Sequence, residues 1–299
     1  MNDNSYPAAN SAADIIELCY QNRIPLSEYA VRSECERSGM SPEEVRDKMH
    51  RRLDVMGSSI SEARKRPVYS VSGLTGGDAE RLERYLKTGK TLSGETALTA
   101  MAGALSAAEV NSAMGRIAAC PTAGSCGIVP AALEAARERL GLDEEAMLDG
   151  LLAASAVGLV IGSNATFAGS EGGCQAECGS ASAMAAGGIV AMAGGSPKQS
   201  FDAAPIALKS VMGLVCDPVA GLVEIPCAKR NAMGAVQALA AADMALARIE
   251  SKIPFDEVLE AAVSVGRMMP EALRETSNGG LAVTPTALRM REHVFGEEA

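Results

Sequence analysis

The sequence predicts an all-α protein built as a single compact helical domain, and three observations carry that expectation. No stretch of any length alternates apolar and polar residues with the period of a strand, whereas helical spacings recur along the whole chain. Hydrophobic residues fill 47% of the 299 positions, yet aromatics make up only 3% and Trp is absent, so the core must be assembled from Ala, Leu, Val, Met and Gly. Side chains that small let helices approach closely. Helix-start signals also punctuate the chain, as in Ser41-Pro42-Glu43-Glu44, where Ser caps, Pro opens the first turn and acids face the positive end of the dipole. No internal repeat or low-complexity linker divides the sequence, so residues 1–299 read as one domain, with 1–11 expected to be disordered.

Composition removes several function classes. A formal net charge of −10 argues against a polyanionic partner, because nucleic-acid binding rests on Lys and Arg neutralising phosphates. The cluster Arg64-Lys65-Arg66 is too short to overturn that and reads as a solvated helix face. The first residues, Met1-Asn2-Asp3-Asn4-Ser5, carry neither a basic nor an apolar signal region, so no secretory signal is expected. The longest strongly apolar run, 150–162, has 13 residues, too few to span a bilayer; a second run, 179–195, is uncharged but rich in Ser, Gly and Ala. Eight cysteines without a signal peptide imply a reducing cytoplasm, where thiols stay free or bind metal.

In chain order, residues 12–60 are predicted helical, with Ile15, Ile16, Leu18 and Cys19 as an apolar stripe and His50 on the surface. The glycine-rich loop 72–78 opens a helix over 79–87, for which Asp78 is the candidate N-cap and Thr88-Gly89 the stop. Gly89-Lys90-Thr91 resembles the end of a phosphate-binding loop, but Arg84 stands where that motif needs Gly, so no nucleotide site is expected. The amides of loop 72–78 suit a carboxylate, or simply close a tight turn. Residues 93–119 are predicted as an Ala-rich helical region. In 120–127, Thr122, Ser125 and two glycines precede a helix that runs to about Leu140, which fits an anion pocket as well as a plain helix cap. A helix over 143–162 breaks at Ser163-Asn164. Gly172-Gly173 then permits close backbone approach to something bulky, and Cys174 and Cys178 share one face if helical. Further helices are predicted at about 201–214, 232–249 and 253–269, followed by a polar, glycine-rich stretch at 276–280 and an exposed His293.

Two thiols bracket the segment Cys216-Asp217-Pro218-Val219-Ala220-Gly221-Leu222-Val223-Glu224-Ile225-Pro226-Cys227, which its prolines and Gly221 keep out of regular helix. The ten residues between them are too many for a Cys-x-x-Cys redox pair and unusual for a zinc knuckle; a soft-metal site and two ordinary buried cysteines both fit. Cys174, Cys178, Cys216 and Cys227 in a chain with only two His favour an iron–sulfur cluster over zinc, while the absence of a tight Cys-x-x-Cys-x-x-Cys run argues against an electron carrier.

Ser72-Gly73-Leu74-Thr75-Gly76-Gly77-Asp78, Pro121-Thr122-Ala123-Gly124-Ser125, Gly172-Gly173-Cys174-Gln175-Ala176-Glu177 and the Cys216–Cys227 segment running into Asn231-Ala232-Met233-Gly234-Ala235 form a set of long motifs in a fixed order. Together they resemble the iron–sulfur-dependent bacterial L-serine dehydratases, specifically the α subunit of the two-subunit type, over about residues 12–296. The resemblance implies a [4Fe–4S] cluster held by Cys174, Cys216 and Cys227 with one iron left open. Cys178 is then a packing residue beside it, and Cys120 and Cys126 stand where relatives carry small residues. It implies a cytoplasmic, pyridoxal-phosphate-independent lyase of amino-acid degradation and gluconeogenesis, which eliminates water from L-serine to give pyruvate and ammonia. Thr75, Gly76, Thr122, Gly124, Ser125, Lys229, Arg230 and Asn231 are the candidates for holding the substrate carboxylate, with surface salt bridges an equal account of Lys229 and Arg230. Neither His50 nor His293 falls in a matched motif. The family's Ser-Ser-Ser-His-Thr-like motif belongs to a β part absent from this sequence, so a separate β subunit is expected to supply the catalytic base. The C-terminal Cys that fused relatives place on the open iron has no counterpart in Phe295-Gly296-Glu297-Glu298-Ala299. An L-cysteine desulfidase with a similar cluster, and a non-catalytic iron–sulfur helical protein, are the alternatives.

Overall fold

Where side chains are mostly Ala and Gly, helices pack backbone against backbone, and the computed structural model, which describes residues 10–296, is built in that way. Its helices are α1 (Ala12–Asn22), α2 (Leu26–Ser38), α3 (Pro42–Lys65), α4 (Asp78–Leu86), α5 (Gly94–Ser112), α6 (Ile128–Leu140), α7 (Glu144–Asn164), α8 (Gly169–Gly172), α9 (Ser180–Met192), α10 (Pro197–Lys209), α11 (Cys227–Leu246), α12 (Phe255–Met268) and α13 (Pro285–Phe295). No β-strand occurs among the described residues, only isolated bridges at Tyr69–Gly76 and Cys216–Arg274, so the all-α expectation holds.

The core surrounds α9, which packs against α6, α7, α10 and α11. A Cβ added at Gly188 of α9 would lie 2.5 Å from the Gly150 carbonyl oxygen of α7, and one at Gly127 would lie 2.5 Å from the Ala104 carbonyl oxygen of α5. Helix contacts this close leave no room for a methyl group. Helix α7 is the one described helix long and apolar enough to cross a membrane, but 61% of its apolar window is buried inside the fold, as a core helix requires.

Local signals explain most boundaries. Ser41 and Glu44 form a capping box at α3, and Asp143 caps α7 by accepting from the Ala146 amide at 2.9 Å. Other expectations are corrected. Helix α10 starts at Pro197, earlier than expected, because Ser196 and Gln199 form a second capping box with Pro in the first turn. Helix α11 starts at Cys227, not near 232, so the second thiol of the bracketed segment is helical. Helix α5 stops at Ser112, where Met114 turns left-handed at φ 61°. Asp78 is not the N-cap of α4: Gly77, at φ 73°, holds that place, and the amides of Asp78 and Ala79 are capped by Glu109 Oε1 at 2.6 and 3.2 Å. Of the expected disorder over 1–11, residues 1–9 lie outside the described residues, while Ser11 caps α1, its hydroxyl accepting from the Asp14 amide at 3.1 Å.

Candidate metal centre

Four loop segments converge at the N-terminal ends of α9 and α11: 120–127, 169–179, 214–226 and 273–281. Backbone bonds stitch them together. The Gln175 amide donates to the Leu214 carbonyl (3.1 Å), the Cys216 amide to Leu273 (2.9 Å), and the Glu275 amide to Cys216 (2.7 Å). The Gln175 side chain donates to the Ala262 carbonyl and accepts from the Gly213 amide, each at 2.8 Å, fixing the segment against α12. Residues Gln175–Gly179 form a π-helical turn leading into α9, a rare distortion that recurs at functional sites. Gly173, at φ 75°, is the glycine that a close approach demands, and the approach is to the protein itself: an added Cβ would meet Met269 Cε at 2.7 Å and the Leu214 carbonyl at 2.8 Å.

Cys174, Cys216 and Cys227 are buried here, one from each of two loops and one from the first turn of α11. They feel one another. Burial pushes the Cys227 thiol up to about 12, with Cys174 adding to the rise. Burial likewise raises Cys216, followed by the charges of Cys174, Glu275, Glu177 and Cys227. Cys174 is lowered instead, first by the hydrogen bond from Cys178, with the Arg230 charge contributing, while Cys178 is held well above its usual range by that same bond. A donor set of this kind ionises together only when a cation joins it, so its chemistry fits a thiolate-bound metal cluster. The cradle fits as well: Gly169 leaves open a place where a Cβ would sit 2.9 Å from Cys216 Sγ. The eight cysteines are free; Cys120 and Cys126 each rise to about 12 through burial, and Cys126 is in the core beside the Ala107 carbonyl.

Cys178 is closer to the centre than a plain packing role requires, since its Sγ, Cys174 Sγ and a Glu177 oxygen lie within 4.8 Å of one another. Glu177 was not among the expected site residues. Burial raises its carboxyl, partly offset by the Thr122 hydroxyl, which donates to it at 2.5 Å. Thr122 and the fully buried Ser125 share a 2.8 Å bond, and at Gly124 a Cβ would lie 2.5 Å from Glu177 Oε1. The expected anion loop therefore already faces a carboxylate of the protein. Loop 72–78 behaves likewise: Thr75 and Ser72 donate to the two oxygens of buried Glu224 at 2.7 and 2.8 Å, and Gly76, at φ 141°, closes the turn against the backbone at Val68 and Tyr69.

The remaining candidates separate. Lys229 is 59% exposed and pairs with Asp78, away from the thiols. Asn231 is fully buried; its amide donates to the carbonyls of Gly124 (2.6 Å) and Cys227 (3.0 Å) and its oxygen accepts from the Gly127 amide (3.0 Å), leaving it no donor for a substrate. Arg230 donates to the Val215 carbonyl at 2.8 Å and to Asp217 Oδ1 at 2.9 Å. His50 pairs with Glu145 at 2.9 Å and His293 is exposed on α13, so neither joins the centre.

Comparison with known proteins gives the chain's relatives. A family model described as "Serine dehydratase alpha chain" matches residues 21–282. The chain is 50% identical over 283 residues to the "Probable L-serine dehydratase, alpha chain" of Bacillus subtilis (strain 168), covering 95% of this chain and 94% of that one. It is 45% identical over 288 residues to the "L-serine dehydratase, alpha chain" of Peptoniphilus asaccharolyticus, covering 96% and 99%. Against the "L-serine dehydratase" of Streptomyces coelicolor, identity is 38% over 278 residues, covering 90% of this chain and 60% of the longer relative.

Proposed function

The chain belongs to the serine dehydratase alpha-chain family, and from that premise we propose that it is the catalytic α subunit of an L-serine ammonia-lyase whose [4Fe–4S] cluster is held by Cys174, Cys216 and Cys227. The observation that supports this reading is that three buried thiols from three chain segments lie near enough to influence one another's ionisation, although the tightest donor group among the described residues is Cys174, Glu177 and Cys178. Both α9, through its π-turn, and α11 present their N-terminal ends to these thiols, where the helix dipole favours negative charge.

When bound, such a cluster with one iron unclaimed by the protein supplies a Lewis acid that makes hydroxide a better leaving group. The chain's own residues prepare the rest. Thr122 and Ser125, bonded to each other and through Thr122 to Glu177, are assigned to holding that carboxyl beside Cys174 and Cys178, with Gly124 leaving room for it. Thr75 is tied to the Cys216–Cys227 segment through Glu224, and Gly76 closes its turn, so this loop is assigned to bracing that segment. Glu177 and Glu275 bring negative charge to the thiols, and so to where the substrate's ammonium would enter. Removal of the Cα proton is assigned to a β subunit, which the relatives' designation as alpha chains supports. The free thiols support a reducing, cytoplasmic setting.

The test is anaerobic reconstitution with iron and sulfide, mixing with the β partner, and assay of pyruvate released from L-serine. Activity is expected only in the loaded protein and is expected to decay in air. Full activity without metal would end the reading, and sulfide released from L-cysteine faster than pyruvate from L-serine would replace it with a desulfidase.

A further inference from the structure

We propose that Arg230 is a positioning residue that holds the three thiol-bearing segments in register before any cluster arrives. The proposal rests on the assignment of Cys174, Cys216 and Cys227 as ligands and assigns this guanidinium to their support, not to the substrate. Arg230 lies in the first turn of α11, three residues after Cys227. Its planar fork reaches across to the Val215 carbonyl and the Asp217 carboxylate, the two residues that flank Cys216. The Gln175 amide, next to Cys174, donates to the Leu214 carbonyl at 3.1 Å, so the Cys174 segment is tied to the same stretch of chain. One side chain therefore joins the helix that carries Cys227 to both neighbours of Cys216 and, through the Leu214 carbonyl, to the Cys174 segment.

The arrangement is anchored at its far end. Asp217 is 3% exposed, and its second oxygen accepts from the Leu281 amide at 2.7 Å, so the carboxylate cannot follow a drifting guanidinium. The Arg230 side chain is only 16% exposed, and a buried cation is tolerated where its partners are fixed. Lysine would not replace it: a single ammonium on a flexible stem cannot present a planar fork to the Val215 carbonyl and the Asp217 carboxylate together. Once a cluster is bound, a largely buried cation beside the residues that flank Cys216 is also one of the levers on its reduction potential.

The experiment uses the full chain with Arg230→Gln and Arg230→Lys, checked for folding by circular dichroism and thermal melting. In the metal-free proteins, hydrogen exchange at the Gln175 and Cys216 amides is expected to accelerate about tenfold in Arg230→Gln, the scale of one lost charged hydrogen bond, with α7 unchanged. After reconstitution, cluster lifetime against an iron chelator is expected to fall about tenfold in Arg230→Gln and the reduction potential to move negative, with Arg230→Lys failing to restore the lifetime. Unchanged exchange in both variants overturns the proposal whatever the cluster does. Faster exchange with no cluster in any of the proteins upholds the clamp and overturns the ligand assignment instead. A variant that keeps wild-type exchange, cluster lifetime and potential but raises KM for L-serine would place Arg230 on the substrate and overturn the proposal.

Discussion

The α7–α9 contact and the thiol centre are held together by opposite means. Between α7 and α9 the chains approach until a methyl group has no place, and apolar packing supplies the contact. At the N-terminal ends of α9 and α11, loops are joined by carboxylates, amides and one guanidinium, each with a specific partner. The difference teaches that folding and site geometry are borne by separate contacts. Added bulk breaks the first region, whereas loss of one polar atom disturbs the second.

The largest test of that separation is Gly188→Val. It drives side-chain atoms into the Gly150 carbonyl and is expected to cost about 3 kcal/mol or more, seen as loss of folded protein in thermal melts. Its counterpart is Cys216→Ala, expected to abolish the cluster's absorbance and all pyruvate formation while the metal-free protein melts close to wild type. A Cys216→Ala chain that fails to fold would merge the two regions into one.

Thr122→Val tests the polar side more gently. It strands the half-buried Glu177 carboxyl, with an expected cost of about 1 kcal/mol in denaturant unfolding together with a loss of turnover. Cys178→Ala is expected to keep the cluster and most of the activity, and colourless protein from this variant would make Cys178 a ligand.

The smallest effect concerns Glu109, whose Oε2 is buried without a partner and whose carboxyl burial raises above its ordinary value of 4.5. A native carboxyl that holds its proton more tightly than the unfolded one costs stability once it ionises. Wild-type stability from this group therefore falls as pH rises from 4.5 through the raised native value. Glu109→Gln keeps an acceptor for the α4 amides and is expected to gain up to about 1 kcal/mol at pH 7, an advantage that disappears below pH 4.5 in paired melting curves.

Much of the helical frame was legible because its signals are local. Ser41 with Glu44 and the acid-rich start of α7 are read from a few neighbouring residues. The start of α10 is equally local, in Ser196-Pro197 and Gln199, although the apolar residues that suggest a helix begin only at Phe201. The thiols were legible because their flanking glycines and prolines belong to long motifs. What they pair with was not. Thr122 and Glu177 are 55 residues apart, and Asn231 meets Gly124 across 107, so no window along the chain brings either pair together. Two loops expected to receive a ligand's carboxylate proved to face Glu177 and Glu224, because a hydroxyl-rich turn does not say whose anion it binds.

The π-helical turn at Gln175–Gly179 has an evolutionary consequence. Such a turn holds one residue more than a regular helix needs, and each residue of an α-helix accounts for about 100° of rotation. Deleting one codon there would leave α9 an uninterrupted helix and swing Cys174 about a quarter-turn away from Cys216 and Cys227. A single insertion in an ordinary core helix thus suffices to turn a thiol from the protein's interior packing toward its chemistry.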